Sequence, residues 1–285
     1  MLSYRHGFHA GHHADVLKHA VLLFLLRYLQ RKEAPLLILD SHAGAGRYDL
    51  GAPEALKLGE FRGGIARLLA RGGSSVPEAL ADYLALVRAA NPGGGLAVYP
   101  GSPALEAALL RPQDRLALFE LHPSDHRALA ALMQGRPRVT VSNADGLKGL
   151  VASLPPPERR GLFVVDPSYE VKSDYERVPA ALLKAWRRFA TGVYLLWYPV
   201  IERARADAMI AALVDGGPDR LYRLELCVAP DKAGLNTPKL GMTGSGLLIV
   251  NPPYTLPPAA ATFLPWLAET LGAKGPVAAE WLAGG

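Results

Sequence analysis

The residues best equipped for chemistry in this 285-residue chain stand at the end of one apolar run, Gly161-Leu-Phe-Val-Val165, which empties into Asp166-Pro167-Ser168-Tyr169. A carboxylate, a proline carbonyl and an aromatic ring at the end of a buried strand can accept hydrogen bonds from a polar group and stack on a planar one. Other apolar runs end the same way, in Asp40 with His42, in Glu120 and in Asp145. One acid at a strand end is ordinary; four in series argue for a ligand cleft along one edge of a sheet. The first 19 residues hold five of the eight histidines, with Tyr4, Arg5, Phe8 and Lys18. They admit a metal site through His9 and His13, a mobile terminus, or a lid in which Tyr4 and Phe8 stack on bases while Arg5 and Lys18 meet phosphate or carboxylate. No acidic ligands cluster nearby, which weighs against the metal.

The elements that must position these groups read as an α/β fold. Apolar runs at Leu36–Leu39, Leu116–Phe119, Arg138–Val141, Gly161–Val165, Gly192–Trp197, Leu221–Val228 and Ser245–Val250 predict strands, several separated by segments with helical spacing. The first helix is expected from Asp15, with one buried face through Val16, Leu17, Ala20, Leu23, Phe24 and Tyr28, capped by Asp15 or a neighbour. Asp40-Ser-His-Ala-Gly-Ala-Gly46 is a glycine loop after a strand, but Asp49 stands where a dinucleotide fingerprint has its third glycine. Residues 51–95 read as an inserted small helical subdomain, with 1–50 and 96–285 forming the core. A second glycine-rich loop carries Lys232 and Lys239, readable as a phosphate contact or as solvated surface.

Composition narrows the classes. Cys227 is the only cysteine, which excludes an internal disulfide, a paired-cysteine redox centre and a cysteine-based zinc site. Half the residues are hydrophobic, yet no apolar run approaches the roughly 20 residues of a membrane span, and no signal peptide is read. A cytoplasmic protein is expected. A net charge of +5 suits an anionic partner without identifying it.

Asp166-Pro-Ser-Tyr169 is close to a signature of methyltransferases that act on a planar amine: Asp, Asn or Ser, then Pro-Pro, then an aromatic residue. The lone pair of such an amine is delocalised into its ring. The Asp166 carboxylate and the Pro167 carbonyl can accept its two N–H groups, while Tyr169 stacks on a flipped base. Asn251-Pro-Pro-Tyr254 fits the signature better, but it follows the last strand, whereas Asp166 follows the fourth, where this class carries its catalytic motif. Ser168 in place of the second proline is a departure.

The stretch Met1–His19, Asp40–Tyr48, Tyr99–Pro103, Glu120–Asp125, Ala144–Gly146 and Phe189–Gly192 together resemble the RlmJ family of bacterial 23S rRNA adenine-N6 methyltransferases over nearly the whole chain. The resemblance implies a Rossmann-like class I core with a mostly parallel seven-stranded sheet, S-adenosylmethionine as methyl donor, no metal, and 23S rRNA as partner of a monomer. It implies cofactor contacts at His19, His42, Ser102, Glu120, Asp145, Gly146 and Asp166, and catalysis by Asp166 with Pro167 and Tyr169. Substrate engagement is implied at Tyr4, His6 and Lys18. His12 stands where the family usually has asparagine. Adenine-N6 methylation of another RNA or of DNA, or a catalytically idle RNA-binding module, are the competing readings.

Overall fold

A computed structural model describes residues 5–71, 73, 76–230 and 241–285. Among these, ten strands form in chain order: β1 (Leu37–Asp40), β2 (Arg47–Asp49), β3 (Val98–Pro100), β4 (Arg115–Phe119), β5 (Val139–Ser142), β6 (Gly161–Val165), β7 (Val193–Val200), β8 (Leu221–Cys227), β9 (Gly244–Val250) and β10 (Val277–Ala283). Eight of them make one sheet in the order β10-β8-β9-β7-β6-β1-β4-β5. The ladders joining β5, β4, β1, β6 and β7 are parallel, and β9, β8 and β10 add antiparallel at one side. This is the Rossmann-like arrangement of class I methyltransferases. All seven expected strands are present, and β10 extends the sheet to eight.

Parallel strands must be covered on both faces, and their side chains show it. Ile38, Leu116, Leu118, Leu162 and Val164 enter one hydrophobic core, while Leu37, Leu39, Ala117, Phe163 and Val165 enter the other. The alternation follows from the two-residue period of a strand. Strand order reverses between β1 and β6, so Asp40 and Asp166 flank the switch point where ligands of open α/β sheets bind.

The helix His13–Leu29 departs from the expected single buried face. Every residue from Ala14 to Leu23 is buried, as are Leu25 and Leu26. It packs on β9 and β6 from one side, and the helices Ala81–Ala89, Ser102–Ala108 and Leu256–Leu271 cover its others. A helix enclosed in this way can be apolar all round. Each buried leucine contributes about 1.5–3 kcal/mol. Its start is capped by His12, whose Nδ1 accepts from the Asp15 N–H at 3.3 Å, the role an asparagine would also serve.

Residues 51–95 contain the helices Pro53–Leu58, Ile65–Arg71 and Ala81–Ala89. The β2–β3 hairpin pairs Arg47–Asp49 with Val98–Pro100 and closes this segment at its base. Its buried residues Ala55, Ile65, Leu68, Leu80, Tyr83, Leu84 and Val87 join the core that also holds Leu17 and Leu22. The segment grips the chain's beginning: Ile65 N–H donates to the Gly11 carbonyl at 2.9 Å, and His9 Nδ1 lies 2.9 Å from Glu60. A Cβ on Gly64 would stand 2.1 Å from the Gly11 oxygen, so only glycine allows these backbones to meet.

Candidate active site

The carboxyl ends of β1, β4, β5 and β6 open into one cleft, closed from above by the turn at His6–Phe8 and the start of the first helix. Asp40, at the end of β1, is fully buried. It accepts from Ser102 Oγ at 2.6 Å and from His42 N–H at 3.0 Å. Burial raises its carboxyl to about 6, although these two hydrogen bonds oppose the shift. Burial likewise depresses the His42 imidazole to about 4, so His42 is neutral near pH 7.

Glu120, just past β4, holds the glycine loop. Its Oε2 accepts from Gly44 N–H at 2.8 Å and its Oε1 from His122 N–H at 2.6 Å. Burial raises this carboxyl against both bonds. Gly44 has φ +62, and a Cβ there would lie 2.3 Å from the Tyr48 hydroxyl, which itself accepts from Ala45 N–H. Asp145 caps the helix Gly146–Ala152 by accepting from Leu147 and Lys148 N–H. A Cβ on Gly146 would stand 1.7 Å from the Ser41 carbonyl oxygen. The close backbone approach therefore dictates glycine at that position.

Asp166, just past β6, is bonded to the Lys18 ammonium through Oδ2. Lys18 also lies 3.2 Å from Asp15. Burial pulls the Lys18 pKa down, but the two carboxylates outweigh it and hold the ammonium above its usual range. Burial raises Asp166, checked by the same ammonium. The cation stays charged between its two anions, because removing either charge would leave the other buried and uncompensated. Asp15 gathers more of this corner, accepting from Gly11 N–H at 2.9 Å and lying 2.9 Å from His6 Nε2.

His19 is neutral, its pKa held well down by burial and by Lys18. Its ring stacks on Tyr99 at 5.6 Å and its Nδ1 lies 2.7 Å from the Tyr99 hydroxyl. Its Nε2 is buried and has no partner among the described residues.

The cleft thus collects His6, Lys18, His19, His42, Ser102, Glu120, Asp145, Gly146, Asp166 and Pro167. Tyr169 is the exception. It has φ +52, is 6 % exposed, and donates its hydroxyl to the Trp197 carbonyl at 3.0 Å and to Met209 Sδ. Its ring packs 4.8 Å from Tyr175 in the core below the cleft, so the surface expected to stack on a base is turned inward here. Tyr4, Lys232 and Lys239 lie outside the described residues. Among those described, no three His, Cys, Asp or Glu side chains converge on a point where a metal ion would sit.

Asp15, Tyr99 and Trp197 belong to the site without having been singled out. Asp15 carried one readable signal, its place three residues before Lys18 on a helix. The rival motif lies elsewhere. β9 runs antiparallel to β7, so Asn251 emerges at the opposite edge of the sheet. There its amide donates to the Ala190 and Gly192 carbonyls at 2.7 and 2.8 Å.

Comparison with known proteins agrees with this geometry. A family model described as RsmJ, ribosomal RNA large subunit methyltransferase D, RlmJ, matches residues 33–283. The ribosomal RNA large subunit methyltransferase J of Escherichia coli K12 is 46 % identical over 275 residues, 96 % of each chain. That of Haemophilus influenzae is 44 % identical over 276 residues, again 96 % of each. The crystal structure of protein LPL1258 from Legionella pneumophila is similar with a TM-score of 0.84 and 37 % identity, covering 96 % of this chain and 97 % of that one. With the cleft, the sheet order and these relatives in agreement, the chain belongs to the RlmJ family of ribosomal RNA large subunit methyltransferases.

Proposed function

We propose that this chain methylates the N6 amine of one adenine in 23S rRNA, acting in the cytoplasm as a monomer. The observation that carries the reading is the buried Lys18–Asp166 pair at the end of β6, in the same cleft as Glu120 and His19.

S-adenosylmethionine, when bound, supplies a methyl group activated by its sulfonium. The residues present suit it. Glu120 uses one lone pair of each oxygen on backbone N–H groups, which leaves acceptors for ribose hydroxyls. Gly44 and Gly146 bring backbone close to the ligand space. The orphaned His19 Nε2 offers a polar contact, and Ser102, His42 and Asp145 complete the wall.

The chain's own contribution is positioning and charge. Lys18 engages Asp166 Oδ2, so Oδ1 is the oxygen that accepts one N–H of the target amine, and the Pro167 carbonyl accepts the other. Both bonds favour a pyramidal nitrogen with an available lone pair. Holding that nitrogen in line with the methyl group converts an encounter into an intramolecular step. His6 and Lys18, tied together through Asp15, present the base-facing side of the cleft. Residues 51–95 form a subdomain that orders this N-terminal segment through Gly11 and His9.

Mass mapping of methylated adenines in large-subunit rRNA from cells with and without this protein tests the reading. One adenine that loses its methyl group only when the protein is absent is the expected result. Unchanged maps would refute it.

A further inference from the structure

Asp166 stands at the floor of the cleft, with 14 % of its side chain exposed, and five residues later the chain is at the cleft's lip. Val171, on that lip, is 48 % exposed and lines the cleft with Pro167 and Ser168. It belongs to a turn at residues 170–173, all four of them exposed. The turn is held at both ends. Glu170 N–H donates to Ser168 Oγ at 3.4 Å, and Asp174 N–H donates to the Val171 carbonyl at 2.8 Å, where the helix Asp174–Arg188 begins. A β-branched side chain on so short a turn has little freedom at χ1. The exposed Lys172 follows it; Arg205 and, beyond it, the Lys172 ammonium hold the Glu202 carboxyl below its usual range. The other strongly exposed apolar residue of the cleft, Leu121, stands next to Glu120, at the end expected to take the cofactor.

An adenine stacked in RNA cannot bring its amine to a carboxylate at the floor of a cleft, so it must leave the stack, and the gap it leaves is costly. An apolar side chain wedged between bases offsets that cost, and cations hold the phosphates on either side. We propose that the turn at residues 170–173 opens the stack: Val171 enters the gap between the two neighbours of the target adenine, and Lys172 meets a phosphate beside it. The occupant of this surface is the RNA strand that carries the target. Asp166 handles the amine at the floor while Val171, at the lip, fills the place the base came from. The inference rests on the adenine-methylating reading above.

The probe is the shortest fragment of large-subunit rRNA that the wild type methylates, with 2-aminopurine in place of the target adenine, added with S-adenosylhomocysteine. Emission rises as that base leaves its stack. The rise is expected with the wild type and with Val171→Leu, and Val171→Ser is expected to lose most of it. On the unlabelled fragment, Val171→Ser is expected to lower kcat/KM about tenfold, the scale of one stacking contact. Lys172→Gln keeps the rise and lowers the slope of log affinity against log salt by about one. A second substrate has abasic positions on both sides of the target adenine and so no stack to open; on it Val171→Ser turns over as the wild type does. Calorimetric affinity for S-adenosylhomocysteine stays at the wild-type value in all three variants.

A wild-type rise in emission with Val171→Ser would overturn the proposal. So would a loss of kcat/KM as large on the abasic-flanked RNA as on the intact fragment, because it would put the defect in the cleft and not in the stack. A wild-type salt slope with Lys172→Gln would overturn the phosphate contact. Should Val171→Ser fail to fold, Val171→Ala carries the same comparisons. Failure of the wild type to methylate any rRNA would instead strike the underlying function, so the two failures are distinguishable.

Discussion

Two tetrapeptides of nearly the same composition, Asp166-Pro-Ser-Tyr169 and Asn251-Pro-Pro-Tyr254, sit at opposite edges of one sheet and do different work. Each follows a buried strand and each contains a non-glycine residue in left-handed backbone, Tyr169 at φ +52 and Asn251 at φ +55. At the first, the polar side chain is an acid paired with a buried ammonium and the tyrosine is locked in the core. At the second, the polar side chain is spent on two backbone carbonyls and Tyr254 is 71 % exposed. The better match to the motif is a structural clasp, because strand direction decides which sheet edge a strand end reaches. A motif carries chemistry only where the topology brings its partners.

That contrast can be pressed hardest at Asp166. On the proposed function, Asp166→Ala removes the acceptor for the amine and is expected to lower single-turnover methyl transfer at saturating S-adenosylmethionine at least about a thousandfold. Lys18→Met comes next. It leaves Asp15 and Asp166 buried without their cation, which costs about 3–5 kcal/mol in urea unfolding and lowers turnover at least tenfold.

The third test uses pH, because the edge that carries Asp40 and Asp166 holds shifted titrating groups. Asp40 has a folded pKa of about 6 against an ordinary 3.8, so the folded state holds its proton more tightly and Asp40 subtracts stability as pH rises across that interval. His42 has a folded pKa of about 4 against 6.5, so the unfolded state binds the proton and His42 adds stability over nearly the same interval. The two offset in the wild type. Asp40→Asn removes one arm, and its unfolding free energy is expected to rise relative to the wild type by about 2 kcal/mol between pH 4 and 6.

The smallest effect is expected at the far edge. Asn251→Ala loses two hydrogen bonds to carbonyls and strains a left-handed residue, costing about 2–3 kcal/mol independently of pH, with kcat within twofold of wild type. Asn251→Gly would recover the strain and still lack the bonds.

The parallel core was legible because its strands are continuous apolar runs ending in acids, and the order of those ends singled out Asp166 over Asn251. Other features were not, for identifiable reasons. β2 and β3 are three residues each and lie far apart in sequence, so nothing local marks their pairing. The helix Leu256–Leu271 begins with Pro257 and Pro258, residue types that punctuate loops as often as helices, although the first turn of a helix needs no N–H donors there. β10 is an edge strand with little alternation in its exposure. Lys18 and Asp166 are 148 residues apart, and only the fold makes them neighbours. The direction of the Tyr169 ring depends on one backbone angle that no composition encodes.

The most direct measurement replaces the wild-type protein in cells by Asp166→Ala or by Asn251→Ala and maps methylated adenines in large-subunit rRNA by mass spectrometry. The target adenine is predicted to be unmethylated with Asp166→Ala and methylated with Asn251→Ala. A methylated adenine with Asp166→Ala, or its loss with a folded Asn251→Ala protein, would contradict the assignment of the active site to the end of β6.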